Sequence, residues 1–371
     1  MRYLDFLSRV RDTASQKGEH IFVSGTAGAS FIAYLLGATD INPLPRHEYC
    51  PHCHTVRFAK KGTPFDKAPI KCSCTAEIET DGHNIPFESN LKNVLSEQIQ
   101  FCVSQAFFDE AKGMIYDEMQ DKTCITLSNE ESSVWFCILD KETNECGEYL
   151  LNGNRKIFSD FPRITLVSEK RLDKYRELEK ATGFKMKDMG FKEQSLAFFQ
   201  FMDCNIEGVP HFDNGFVKGI WNKINPQSYE ELLKIIGFAH STNVWKNNAE
   251  MLFNEHRLSL REIPAFREDL NDMICERLCK KRIYDKGLAY EVTDKTMRGY
   301  YAKTGGVDED TMLALLNLDF DMDFICFLSE INYMFPKAHG ISCLYEAIAM
   351  MFYKTEFNKE YNEIMLEKRL K

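Results

Sequence analysis

The sequence has no apolar run approaching the roughly 20 residues that a membrane-crossing helix needs, and its start, Met1-Arg2-Tyr3-Leu4-Asp5, lacks the apolar core of a secretory signal. The expectation is a protein that stays in the cytoplasm and makes no membrane contact. Positive charge is also short: 46 Lys and Arg stand against 56 Asp and Glu, a formal net charge of -10. A surface coated in positive charge is thereby excluded, and any contact with a phosphate backbone has to be a local patch. Internal repeats and low-complexity linkers are missing too, so the organisation must be read from local signals. What is present is core material, with 44% hydrophobic residues in a chain of 371, enough for two or three folded domains. The 13 cysteines of a chain without an export signal read as free thiols and metal ligands rather than disulfides. Cys102, Cys204, Cys326 and Cys343 stand in apolar surroundings and are expected to pack in the core.

Ile21-Phe22-Val23 reads as a short buried strand, followed by a turn of small residues from Ser24 to Ser30 and the apolar helix Phe31 to Leu36, which Gly37 would end. From Asn42 to about Asp81 the composition shifts to Pro, Cys, His and Lys, the character of a small metal-pinned insert. Strand-like runs return between Thr123 and Leu139 and at Arg163 to Val167. After about Lys187 the pattern is helical. Ser228 and Glu231 form a capping box before Leu232, Leu233, Ile235 and Ile236, with Gly237 as the expected stop. Further helices are expected at Met312 to Leu318, Phe324 to Ile331 and Cys343 to Phe352. The chain therefore reads as α+β, mixed in its first half and all-helical in its second.

The most specific local signal is Cys50-Pro51-His52-Cys53 followed by Cys72-Ser73-Cys74. Two close cysteine pairs can place four thiolates around a structural Zn²⁺, with Cys50, Cys53, Cys72 and Cys74 as ligands. The second pair has a single intervening residue, and His52 or His54 could stand in as a nitrogen ligand. The plain alternative is reduced surface cysteines. In the turn, backbone around Gly25, Thr26, Gly28 and Ser30 is suited to an anion. It lacks both the Gly-Lys-Ser/Thr ending of a P-loop and the spacing of a dinucleotide fingerprint, so a tight packing turn explains it equally well. Lys337 and His339, just before a helix, are suited to a phosphate, as is His240 after the helix containing Gly237, although solvated loops explain these too. Gln194 to Phe198 faintly resembles a clamp-docking pentapeptide, but Ala197 stands where a large anchor is wanted, which favours an apolar helix face.

These pieces occur in one order: Asn42-Pro43-Leu44-Pro45, the cysteine pairs, Gly82-His83-Asn84-Ile85-Pro86-Phe87-Glu88, Gly208-Val209-Pro210, Gly237 to Leu252, and Tyr333-Met334-Phe335-Pro336-Lys337-Ala338-His339. In that order the chain resembles the palm and fingers of the PolC-type DNA polymerase III alpha chain. The resemblance implies a nucleotidyltransferase-type palm on a mixed sheet over 1–49 and 76–186, a zinc insert over 50–75 and an all-helical fingers-like domain over 187–371. It also implies a core without the exonuclease, PHP and DNA-binding parts that such polymerases carry on either side, and with a shortened thumb.

In that family, two divalent metals are held by an Asp-x-Asp pair and a third Asp on a neighbouring strand, because closely spaced hard cations need anionic oxygens between them. The resemblance places Gln98, Gln100 and Thr165 at those positions and Ser24 where the family has an Arg. Amides and a hydroxyl leave Mg²⁺ without neutralising charge. Gly25, Thr26, Gly28, Ser30, His240, Lys337 and His339 fall where the family meets nucleotide or DNA. The expectation is a catalytically inactive homologue that binds primer-template DNA, a dNTP or a replication protein and acts by occupancy. Two alternatives stand beside it: an active polymerase using Asp109, Glu110, Asp117 or Glu118 as replacement acids, and a protein-interaction decoy of the replicase in a mobile element, phage or defence system.

Overall fold

The computed structural model describes residues 2–25, 29–60, 72–74, 76–86, 98–119, 124–130, 133–138, 163–186 and 206–366. Thr26, Gly28, Cys204 and the stretch 194–198, singled out in the sequence, lie outside them. The chain divides into two compact units, one of Met1–Pro43, Asn90–Gly190 and Phe352–Lys371, the other of Leu44–Ser89 and Phe191–Met351. This division differs from the expected one in two places. The stretch 44–89, expected as palm on either side of a separate 50–75 insert, groups with the helices, and the last 20 residues, 352–371, group with the sheet.

Strands are β1 (Ile21–Gly25), β2 (His47–Tyr49), β3 (Val56–Phe58), β4 (Glu79–Asp81), β5 (Gln98–Val103), β6 (Cys124–Glu130), β7 (Ser133–Ile138) and β8 (Arg163–Ser168). In the first unit, five of them form a mixed sheet in the order β1-β5-β8-β7-β6. The β5–β8 pair is parallel and the others are antiparallel. Alternation along the strands sends Val23, Phe101, Val103, Ile164 and Leu166 to one face, where all are buried. Helices α1 (Arg2–Gln16) and α3 (Gln105–Met119) cover that face. Each presents an apolar stripe of the same spacing, Phe6, Leu7, Val10 and Ala14 on α1 and Phe107, Phe108, Ala111 and Ile115 on α3. Between β1 and the rest of the unit, Ser30 caps the short α2 (Phe31–Leu35), its hydroxyl accepting the Ala33 N–H at 3.2 Å. Helix α4 (Lys170–Thr182) buries Leu172, Tyr175 and Leu178 and ends at Gly183, whose φ of 71° suits the left-handed cap.

The second unit opens with a small sheet in the order β3-β2-β4. From 206 onward it is helical, with α5 (Gly215–Ile224), α6 (Tyr229–His240), α7 (Glu250–Asn254), α8 (Arg267–Lys280), α9 (Gly287–Met297), α10 (Tyr300–Thr304), α11 (Glu309–Asn317), α12 (Met322–Glu330) and α13 (Lys337–Glu356). In the first unit, α14 (Asn358–Tyr361) is followed by a wide helical turn at Asn362–Leu366. The expected cap at Ser228 is present, its Oγ accepting the Glu231 N–H, but the reciprocal bond of a capping box is replaced by one from the Gln227 N–H, a residue earlier, to the Glu231 carboxylate. Gly237 does not stop α6, which continues to His240. Its role is close packing: a Cβ there would lie 2.9 Å from the Phe266 ring and from Ala265, and one at Gly340 of α13 would lie 2.5 Å from the same ring. The two glycines thus make a slot for Phe266, which is 1% exposed. Cys102 and Cys343 are buried as expected, whereas Cys326 is exposed, because only one face of α12 turns inward.

Candidate functional site

The face of the sheet opposite α1 and α3 carries the positions at which the resemblance puts the metal-binding acids. Parallel pairing sets Gln98 against Arg163 and Gln100 against Thr165, and antiparallel pairing sets Ser24 against Gln100. Gln100 and Thr165 are half-buried neighbours, and the Gln100 amide donates to Cys102 Sγ at 3.5 Å along its own strand. Strands β1, β5, β7 and β8 contain no Asp or Glu, and the sheet's one acid, Glu130, closes edge strand β6. The replacement acids are all on α3. Asp109, Glu110 and Asp117 are exposed, Glu110 is paired with Lys17, and Glu118 with Arg9 at 3.1 Å. Since α3 packs on Phe101 and Val103, the sheet itself stands between these acids and the Gln100–Thr165 face.

The four cysteines converge in the second unit. Cys50 follows β2, Cys53 lies in the turn before β3, and Cys72 and Cys74 precede β4. The turn is closed by the Cys50 N–H to Thr55 O at 3.0 Å and the His54 N–H to Cys50 O at 2.9 Å, with His54 left-handed at φ 54°. All four Sγ atoms lie within 4.8 Å of one another, with separations of 3.4 Å for Cys50–Cys74, 3.3 Å for Cys72–Cys74 and 3.8 Å for Cys53–Cys72. Sulfurs bound at about 2.3 Å to one tetrahedral ion would be roughly 3.8 Å apart. The cluster can therefore hold a metal ion. The other thiols, Cys74 foremost, push Cys53 up to about 12, while the backbone N–H of Cys74 brings Cys72 down to about 6. Thiols this close ionise together only when a cation shares their charge. The two candidate nitrogen ligands are outside the group: His54 Nδ1 is bonded to the Tyr49 hydroxyl at 2.8 Å, and His52 Nδ1 is 3.8 Å from Cys53 Sγ.

The two longest helical motifs meet by backbone pairing. Thr242, just after α6, bridges Tyr333, just before α13: the Thr242 N–H donates to Tyr333 O at 2.9 Å and the Asn332 N–H to Thr242 O at 3.1 Å. Ser241 Oγ accepts the Phe335 N–H at 3.1 Å. This brings His240 onto the Phe335 ring, stacked at 4.9 Å and 22°, with His339 perpendicular to that ring at 4.8 Å. Lys337 is placed differently from a free cation. Its backbone N–H donates to Glu268 at 2.8 Å and its ammonium lies 3.3 Å from Asp269. Glu268 is 1% exposed and also accepts from Arg267. A buried carboxylate thus occupies the anion-favouring start of α13.

Comparison with known proteins agrees with this order of parts. Residues 169–278 match the bacterial DNA polymerase III alpha subunit finger domain family. The DNA polymerase III PolC-type of Thermotoga petrophila is 22% identical over 414 residues, an alignment covering 91% of this chain and 30% of the relative. Those of Streptococcus thermophilus (21% identical, 92% and 28% covered) and Ureaplasma parvum (23%, 94% and 29%) align similarly. The chain is a partial relative of PolC-type DNA polymerase III. It spans about 30% of the length of these relatives. Alignments of 414 positions exceed the 371 residues of this chain, so the PolC-type relatives carry internal residues with no counterpart here.

Among the expected PolC-like site residues, the structure brings Gln100 and Thr165 together, groups the four cysteines, and sets His240, His339 and Lys337 around Phe335 and the Glu268–Asp269 pair. Gly25 ends β1, and Ser30 is engaged as the α2 cap. Sequence reading missed Glu268, whose only local signal is its place in the first turn of α8. It also missed His211, whose significance depends on neighbours far away in the chain. No described helix is long and apolar enough to cross a membrane.

Proposed function

We propose that this chain is a catalytically inactive homologue of PolC-type DNA polymerase III, with a degenerate nucleotidyltransferase-type palm and a fingers-like helical part, acting in the cytoplasm by occupancy. The observation that carries the reading is the uncharged row of Ser24, Gln100, Thr165 and Trp135 across β1, β5, β8 and β7. Two-metal phosphoryl transfer needs carboxylates there to offset paired cations and to stabilise charge developing on the phosphate. Amides and hydroxyls do not fit Mg²⁺, and the acids of α3 are on the wrong side of the sheet. The four-thiol cluster fits Zn²⁺ in a closed structural site, where Cys50, Cys53, Cys72 and Cys74 would pin a segment with little core of its own. The output of the protein is then binding, through fingers motifs that its relatives share, to primer-template DNA or a dNTP.

Primer extension by the full chain with Mg²⁺ or Mn²⁺ is expected to show no incorporation, and template-directed incorporation would defeat the reading. Fluorescence anisotropy with labelled primer-template at low salt, and thermal shift with each dNTP, test the binding half. Silence in both removes DNA and nucleotide from it.

A second reading is favoured by Lys337: a phosphate approaching that helix start has to displace both Glu268 and Asp269. With the net charge of -10, this points to a protein partner, the chain imitating a replicase toward the proteins that bind one. Retention of replication proteins from a Gram-positive lysate in the absence of DNA binding separates it from the first.

A further inference from the structure

A second group of ligating side chains converges in the helical unit, apart from the four cysteines. His211, His240 and Cys343 each bring one ligand atom within 4.8 Å of the other two. They come from three places: His211 from the turn after Val209, His240 from the last position of α6, and Cys343 from α13, where it is 4% exposed. Imidazole nitrogens and a thiolate around one tetrahedral ion would lie roughly 3.3–3.8 Å apart, so a modest inward rotation of the side chains completes the geometry.

Two independent features show that the arrangement is imposed rather than casual. His211 has φ 67°, a left-handed backbone that a side chain larger than glycine adopts at a cost, and such outliers persist where surrounding structure over-determines them. Its Nε2 is bonded at 2.9 Å to Glu346, a carboxylate 2% exposed and one helical turn beyond Cys343. A carboxylate bonded to the imidazole of a candidate ligand is the kind of partner that orients histidine ligands. His240 is fixed as well, by its stack on Phe335.

We infer that His211, His240 and Cys343 form a second metal site, for a zinc-class divalent ion, with Glu346 positioning His211. Two imidazoles and one thiolate are a donor set suited to borderline-soft ions and unsuited to Mg²⁺ or Ca²⁺. Three protein ligands leave the fourth position to water or a small anion, unlike the closed four-thiol cluster. The ion would tie the 209–212 turn, the end of α6 and α13 to one another.

The test is metal content of the full chain, stripped, reloaded with Zn²⁺, desalted and measured by mass spectrometry. Two zinc ions per chain are expected, falling to one in Cys343→Ser and in His240→Asn. One zinc that Cys343→Ser removes would also support this site while defeating the four-thiol one. With Co²⁺ in a Cys53→Ser, Cys72→Ser background, a single-thiolate charge-transfer band should remain and should vanish on adding Cys343→Ser. Circular dichroism checks that each variant is folded. His211→Asn, at the edge of the cluster, gives the same readout if Cys343→Ser disturbs the core. One zinc per chain that survives both Cys343→Ser and His211→Asn, or two that do, would overturn the site.

Discussion

The outer face of the five-stranded sheet and the interior of the helical unit treat ionisable groups in opposite ways. Four of the five strands contain no acid, and the row through Gln100 and Thr165 is uncharged. The helical unit, in contrast, buries Glu268, Glu346 and His83 and gathers two groups of metal-type ligands. The sheet is held by its other face, where Val23, Phe101, Val103, Ile164 and Leu166 pack on two helices. Substitution on the outer face is therefore expected to leave the fold intact. In the helical unit, the polar groups are themselves structural, since a buried charge stripped of its partner is strongly destabilising. A chemical site on one face of a sheet can be emptied without loss of fold, whereas a polar interior cannot.

The largest expected effect sharpens this contrast. Chelation of the zinc proposed for the four-thiol cluster, or Cys50→Ser with Cys72→Ser, should cost the second unit binding energy on the order of 10 kcal/mol. Hydrogen exchange should then accelerate across the small β3-β2-β4 sheet and remain unchanged in β5 and β8. Equal acceleration in both units would break the comparison. Next is Phe266→Ala, which empties the slot between Gly237 and Gly340 and should cost about 3–5 kcal/mol in denaturant unfolding. A loss under 1 kcal/mol would show that the slot is not a packing centre.

The third prediction concerns acid. Burial lowers His83 from 6.5 to about 4, so the folded protein keeps it neutral while the unfolded chain protonates it. Unfolded His83 binds more protons between those values, and stability is lost as pH falls from 6.5 toward 4, by roughly 3 kcal/mol. In His83→Phe, the pH dependence of the unfolding free energy should shallow by up to about one proton in that window. An unchanged slope assigns acid sensitivity elsewhere. The smallest effect is expected on the sheet: Gln100→Asp with Thr165→Asp should alter stability by no more than about 1 kcal/mol. The same double variant should show Mg²⁺ binding by calorimetry, and the natural chain none. A loss of several kcal/mol would mean that this face is as structural as the helical interior.

Much of this was legible because it is local. The strand runs of β1, β6, β7 and β8, the cap at Ser228, and the cysteine spacing each depend on a few adjacent residues, whose backbone geometry sets what they can form. Other readings failed where a distant neighbour decides. Gly237 looked like a helix stop, and it is instead the floor of the Phe266 slot. Lys337 looked like a loop cation before a helix, yet it begins α13 with Glu268 and Asp269 as partners. Cys343 looked like core packing, and it is also the meeting point of two histidines.

The sequence by itself determined that β1, β5, β7 and β8 carry no carboxylate, since no arrangement can supply one that those segments do not encode. It determined too that four thiols stand in two close pairs. Only the tertiary structure decided that Gln100 lies across from Thr165, that α3 puts its acids beyond the sheet, and that His211 and His240 reach Cys343. Composition and spacing act through neighbouring residues, whereas strand register and helix crossings are set by packing between segments far apart in the chain, which no local pattern encodes.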